Sequence, residues 1–345
     1  MNNLFQLKKL PEEELDKLVK RGKITRLEAN IVQLPDSYLE FFTHLRTGKA
    51  ERTLYSIYYK ITVIEQLLGK SLLKMSPIDF DNLILKMEST YRKSSVSIYL
   101  AIIRVFYRFM VKRGYINQNP VDADFRYKSD YERIPFHLKP SVMQKIYEIL
   151  DKRVNEAANV YAADRSKYAK ETLLRMEMMR LAIRLLADTG ARISEIKKIQ
   201  LHHINPRTDG QAICRIHNAK VKNGGDRTRK VLLSKDAIKA LHSYVKIAPA
   251  EIQASEKVLI TVTIRQVQYW IHDIRDKLYS KGYLEVKKLS PHDFRKFFGT
   301  QLVSNGVSDF NILKLMGQSN LASLRPYIEI SDDLVVECYS KLNKD

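Results

Sequence analysis

The chain has 345 residues, enough for two domains that each bury a core, and 45% apolar content with twelve glycines and ten prolines describes an ordered globular protein. Fifty-nine lysines and arginines against thirty-nine aspartates and glutamates leave a net charge of +20, which favours a polyanionic partner, nucleic acid, over generic basic solubility. Two cysteines, Cys214 and Cys338, exclude a disulfide framework, neither lies in a His/Cys cluster with metal spacing, and no apolar run reaches signal-peptide or membrane-span length; the chain reads as cytoplasmic, with no metal and no cofactor.

Residues 1–34 read as a small helical pair. Pro11-Glu-Glu-Glu places acids at the positive end of a helix that Gly22 ends, and Thr25 caps a second carrying Leu27, Ile31 and Leu34. Residues 35–122 predict four helices, over 37–45, 51–68, 76–89 and 95–113. On the last, Ile98, Ile102, Val105, Phe106 and Phe109 form an apolar stripe at helical spacing, and Arg104, Arg108 and Lys112 recur every four residues beside Tyr107. Such a basic row is ordinarily a solvated face; on so basic a chain it reads as a face that tracks phosphates.

Residues 123–139 break the periodicity and mix charge with aromatics, as an interdomain linker would. A second domain, 140–345, then opens on a capped helix at Lys139-Pro140-Ser141, and residues 151–187 continue as helix with Leu174, Met178, Leu181 and Leu185 inward. The helix breaks at Gly190. Short strands follow at 211–217 and 229–233 around the turn signal Asn223-Gly224-Gly225, with a third extended piece at 258–262. A helix with Val267, Trp270, Ile271, Ile274 and Leu278 on one face runs to Gly282. Ser290-Pro291 is a further helix start that places His292 and Arg295 on one face of the first turn, and the helix ending at Met316 is stopped by Gly317.

Four segments in this order resemble the tyrosine recombinases, the integrase and Xer-like group. Asp188-Thr-Gly-Ala-Arg192-Ile-Ser-Glu195 resembles the family's first arginine box, and His292-x-x-Arg295 its second. Ala219-Lys220-Val-Lys222 resembles its strand-end lysine segment. Tyr327 lies thirty-five residues after His292 and nine after Gln318, where the family places its nucleophile, although the family has His or Trp where Gln318 stands. The resemblance covers roughly residues 35–330. It implies a mainly α fold with a small β-sheet, namely an all-helical N-terminal core-binding domain over 35–122 and a mixed α/β catalytic domain.

On that resemblance the catalytic set is Arg192, Lys220, His292, Arg295, Gln318 and the nucleophile Tyr327, with Glu195 orienting a cation and Lys222 competing with Lys220 as the acid. The residue types suit the chemistry. A phosphodiester under attack by a phenol gains negative charge that two permanently charged guanidiniums stabilise bidentately. The same cations help a phenol of ordinary pKa about 10 lose its proton, and His292 can accept that proton or hold a phosphate oxygen. An ammonium can protonate the departing 5′ oxygen. Gln318 donates a hydrogen bond but carries no charge. The expected activity is strand exchange on double-stranded DNA through a 3′-phosphotyrosyl link, by a homotetramer on two paired sites. A type IB topoisomerase shares the residue set, and a non-catalytic DNA-binding relative is the other alternative. From Ser331 a last amphipathic helix with Leu334, Val335, Cys338 and Leu342 on one face is expected to dock on its own domain or on a neighbouring protomer.

Overall fold

Local capping chemistry sets several of the element boundaries in the computed structural model, which describes residues 4–122, 125–127, 138–217, 228–318 and 320–324. The chain divides into two compact units, Met1–Arg133 and Ile134–Asp345. The N-terminal unit is helical throughout: α1 Leu4–Leu7, α2 Glu12–Lys20, α3 Arg26–Val32, α4 Asp36–Arg46, α5 Glu51–Leu68, α6 Pro77–Thr90 and α7 Lys93–Lys112. Thr25 caps α3 and Ser76 caps α6 through reciprocal boxes with Glu28 and Asp79, each satisfying backbone N–H groups that a helix start leaves open. Leu4, Leu15, Leu27 and Ile31 share one core with residues as distant as Phe106 and Val121, so the first 34 residues pack within this unit.

Helix α7 buries only part of its expected stripe. Phe106 and Phe109 are buried as expected, together with Val96, Leu100, Ile103, Tyr107 and Met110, whereas Ile98 and Val105 are 54% and 46% exposed. Tyr107, expected beside the basic row, is buried and its hydroxyl donates to the Leu72 carbonyl at 2.5 Å. The helix is long and apolar enough to cross a membrane by length and composition alone, contrary to the sequence expectation; here its buried face is part of the core of the unit.

The second unit begins with α8 Pro140–Asp164 and α9 Lys167–Thr189. They are separate helices where one continuous helix was expected. Arg165 adopts a left-handed conformation (φ 55°) and Ser166 caps α9 by accepting from the Ala169 N–H. α9 is the axis of this unit, with Leu181, Ala182, Ile183, Leu185 and Leu186 wholly buried. After the single turn α10, Ile193–Ile196, comes a three-stranded antiparallel sheet in the order β1 Ile204–Pro206, β2 Ala212–His217, β3 Thr228–Leu233. The two predicted strands pair in register from Ala212↔Leu233 to His217↔Thr228. The third strand is 204–206, not 258–262; that stretch instead lies against the end of the α10 turn, Leu259 N–H donating to the Ile199 carbonyl at 2.8 Å. The remaining helices are α11 Lys235–Ile247, α12 Ala250–Gln253, α13 Ile264–Tyr279, α14 Pro291–Ser304 and α15 Asp309–Met316. The hairpin tip, the segment after Leu324 and the expected tail helix from Ser331 lie outside the described residues.

Candidate active site

The site is built where α9 ends. Gly190 terminates that helix in the left-handed conformation (φ 56°), and a β-carbon there would lie 2.4 Å from Cδ1 of Phe298 on α14. Only glycine lets the turn and α14 approach this closely. Two residues on, Arg192 caps α10. Glu195, with a fully buried side chain, accepts from the Arg192 backbone N–H and from its Nη1, both at 2.9 Å. The same carboxylate accepts from Nη2 of Arg229 at 2.8 Å. Burial alone would raise the Glu195 pKa; the hydrogen bond and charge of Arg229, with the two hydrogen bonds of Arg192, outweigh it and hold the carboxyl below its ordinary value.

Sequence reasoning passed over Arg229. The signal was the alternation of β3, in which Arg229, Val231 and Leu233 point inward while Lys230 and Leu232 face out. A charged residue in the inward phase of a strand needs a buried partner, and Glu195 supplies it.

Ser290 opens α14 with a reciprocal box to Asp293, whose carboxylate accepts from the Ser290 N–H at 2.8 Å, and Pro291 fills the first helical position. This start presents His292 and Arg295 on the first turn. Arg295 is 1% exposed, and its guanidinium donates from Nη1 to the Gly190 carbonyl at 2.5 Å and from Nη2 to the Met316 carbonyl at 2.6 Å. It therefore ties the Arg192 turn to the end of α15. His292 keeps an exposed edge. The protein packed around its ring lowers its pKa first, the cations Lys296, Arg295 and Arg192 lower it further, and Asp293 opposes them only in part. The charges of both arginines act on this imidazole, and the Arg295 bond to the Gly190 carbonyl brings its helix to the Arg192 turn.

Gly317 ends α15 in the left-handed conformation (φ 61°), and the Gln318 N–H closes that end by donating to the Leu313 carbonyl at 2.9 Å. The Gln318 side-chain carbonyl accepts from the Ser323 hydroxyl at 3.0 Å. Gln318 thus follows, by two residues, the carbonyl that Arg295 holds. Lys220, Lys222 and Tyr327 lie outside the described residues. The paired strand ends His217 and Thr228 bracket the segment that carries the two lysines.

The basic row of α7 belongs to the N-terminal unit and is not uniform. Arg104 is half-buried, donating to the Phe125 carbonyl at 2.6 Å with its guanidinium over the Phe125 ring. Arg108 and Lys112 are exposed and, with Arg104 and Asn119, line a cleft of ≈ 430 Å³. Among the described residues no group of His, Cys, Asp and Glu is arranged to hold a metal ion.

Residues 138–333 match the phage integrase family. The chain is 22% identical over 325 residues to the tyrosine recombinase XerC of Leptospira interrogans, covering 89% of this chain and 93% of that protein. It is 23% identical over 324 residues to the tyrosine recombinase XerD of Agrobacterium fabrum, covering 88% and 91%. The crystal structure of the XerH site-specific recombinase bound to its difH substrate in a pre-cleavage complex shares the fold, with a TM-score of 0.60 at 16% identity over 99% of this chain and 96% of that one.

Proposed function

The chain belongs to the phage integrase family and is a tyrosine recombinase, an enzyme that cuts and rejoins DNA, and on that premise we propose how its own residues divide the work. The Tyr327 phenolic oxygen attacks the scissile phosphorus and forms a 3′-phosphotyrosyl bond as the bond from phosphorus to the 5′ oxygen breaks. The departing 5′ oxygen takes a proton from Lys220 or Lys222, and His292, held neutral by its surroundings, accepts the phenolic proton or binds a phosphate oxygen. Arg192 and Arg295 offset the charge of the pentavalent state, and Gln318 donates to it without carrying charge. Attack by the 5′ hydroxyl of another duplex then reverses the step and releases the tyrosine. Bond energy stays in the covalent link, so the cycle calls on no nucleotide hydrolysis, metal or organic cofactor.

The observation that carries this reading is the pair of hydrogen bonds from Arg295 to the Gly190 and Met316 carbonyls, which draws the first arginine box, the His292 helix and the approach to Gln318 to one place. The wider proposal is a core-binding domain over 35–122 whose Arg108 and Lys112 track DNA phosphates, a linker over 123–139, and a catalytic domain over 140–345. It includes a homotetramer on two paired sites, with the segment after Ser331 linking subunits. The test is trapping of a covalent protein–DNA species on nicked duplexes, with peptide mapping of the modified residue. An adduct on Tyr327 is expected, abolished by Tyr327→Phe and retained by Tyr339→Phe, which removes the rival phenol twelve residues further on. An adduct that survives in Tyr327→Phe overturns the assignment, and relaxation of supercoiled DNA without site preference would make the enzyme topoisomerase-like.

A further inference from the structure

We propose that Arg229 is a positioning residue for DNA cleavage: through the buried carboxylate of Glu195 it fixes the guanidinium of Arg192 and ties the lysine-bearing hairpin to that arginine. This rests on the catalytic reading above and names a residue that reading does not contain. Arg229 is 5% exposed on β3, paired in register with Ile216 of β2, and its Nη2 is 2.8 Å from Glu195 Oε2. That same oxygen accepts the Arg192 N–H, while Oε1 accepts from Arg192 Nη1. One carboxylate thus carries Arg229 on one side and both the main chain and side chain of Arg192 on the other. Burial favours the neutral acid and each guanidinium favours the carboxylate, so removing one shifts the balance toward protonation, and only the ionised form accepts from both arginines at once.

The hairpin gives the link its second consequence. β2 and β3 are the stems of the segment holding Lys220 and Lys222, and Arg229 is the second residue of β3 after that segment. Its ion pair therefore anchors the stem of the candidate acid to the turn that presents Arg192. Among the described residues, the groups acting on the pair include Arg192, from the same turn as Glu195, and Cys214 from β2, whose thiol burial pushes up to about 12, so it stays neutral.

The experiment measures single-turnover cleavage of a nicked duplex from acid to alkaline pH, alongside DNA affinity, for the parent, Arg229→Lys, Arg229→Met, Glu195→Gln and the double variant Arg229→Met/Glu195→Gln. In Arg229→Met the Glu195 carboxyl keeps only Arg192 against its burial, its pKa climbs, and the rate should acquire a second acid limb beside the one His292 gives the parent, with a loss of about 10²-fold on its low side from misplacing Arg192. DNA affinity should be retained. The added limb should vanish in the double variant, because no carboxyl remains to titrate, and Arg229→Lys should recover most of the rate. A uniform loss with no added limb in Arg229→Met would make Arg229 structural only, and the parental rate would remove it from the reaction. A parent that forms no adduct with DNA would refute the catalytic reading itself, so the two failures are distinguishable. Should Arg229→Met fail to bind DNA, the comparison passes to Glu195→Gln, where a parental rate and pH profile would overturn the proposal.

Discussion

The ring of Phe298 occupies the place a β-carbon on Gly190 would take, with Cδ1 only 2.4 Å from that position. Gly190 is also left-handed and offers its carbonyl to Arg295 at 2.5 Å, so one residue serves as helix stop, packing surface and hydrogen-bond acceptor. Gly190→Ala should therefore cost about 1–2 kcal/mol for the backbone conformation and about 1–3 kcal/mol more for displacing the ring. Urea unfolding followed by the fluorescence of Trp270, the single tryptophan of the chain and buried in the same unit, measures the loss. An unchanged midpoint would show that Phe298 moves aside freely and that the close approach carries no stability.

Gln318 is expected to act as a hydrogen-bond donor. Ser323 donates to its carbonyl oxygen, which sets the orientation of the amide. Gln318→His should keep cleavage within about tenfold of the parent, ~1.4 kcal/mol in barrier height, whereas Gln318→Ala should lose about 10²-fold. Single-turnover rates on a nicked duplex decide the matter, and equal rates for Ala and Gln would leave position 318 without a catalytic role.

The imidazole of His292 is predicted to work in its neutral form. Packing and the surrounding cations lower its pKa, so it is neutral across a range of mildly acid pH in which a free histidine would be charged. A neutral base loses activity as pH falls through its pKa. Lys296→Gln removes one of the depressing cations, the His292 pKa rises, and the acid limb of the cleavage profile should move to higher pH. A limb that moves the other way would show that the protonated ring is the active form.

Binding should weaken steeply with salt as lysines and arginines displace counterions from the duplex. The two exposed residues of the basic row should dominate its contribution: Arg108→Ala with Lys112→Ala is expected to flatten the log–log slope by roughly one unit for each phosphate that is left without its cation. Arg104→Ala should change the slope less and stability more, because this guanidinium is engaged with Phe125. The reverse ranking, read from fluorescence anisotropy titrations across salt concentrations, would place the DNA on the Arg104 side of the helix.

What the sequence displays well is whatever a few neighbouring residues decide. Thr25, Ser76 and Ser290 each cap a helix through an acid three residues on, and Gly317 stops one by adopting a conformation other residues resist. What it hides depends on distant partners or on a residue acting against type. Arg165 breaks the α8–α9 run in a left-handed conformation with no glycine to announce it. Helix α7 offers two apolar stripes of the same period, and only its neighbours choose between Ile98 with Val105 and Leu100 with Ile103. Ile204–Pro206 is too short, and ends in too poor a strand former, to be read without its partner β2. His292 and Arg295 are visible as a pair because a helix turn joins them. That Arg295 also reaches Gly190, more than a hundred residues earlier, can be known only from the fold.

Because Arg295 holds two main-chain carbonyls from the protein interior, it is a rivet as well as a proposed reagent. A lysine has no fork to span both oxygens, and a neutral side chain leaves them buried without a donor. An inactive Arg295 variant would therefore confound lost chemistry with a loosened joint between three segments of the domain. On the proposed assignment Tyr327→Phe deletes a single oxygen, the nucleophile, which makes it the cleaner choice for a cleavage-dead enzyme held on DNA.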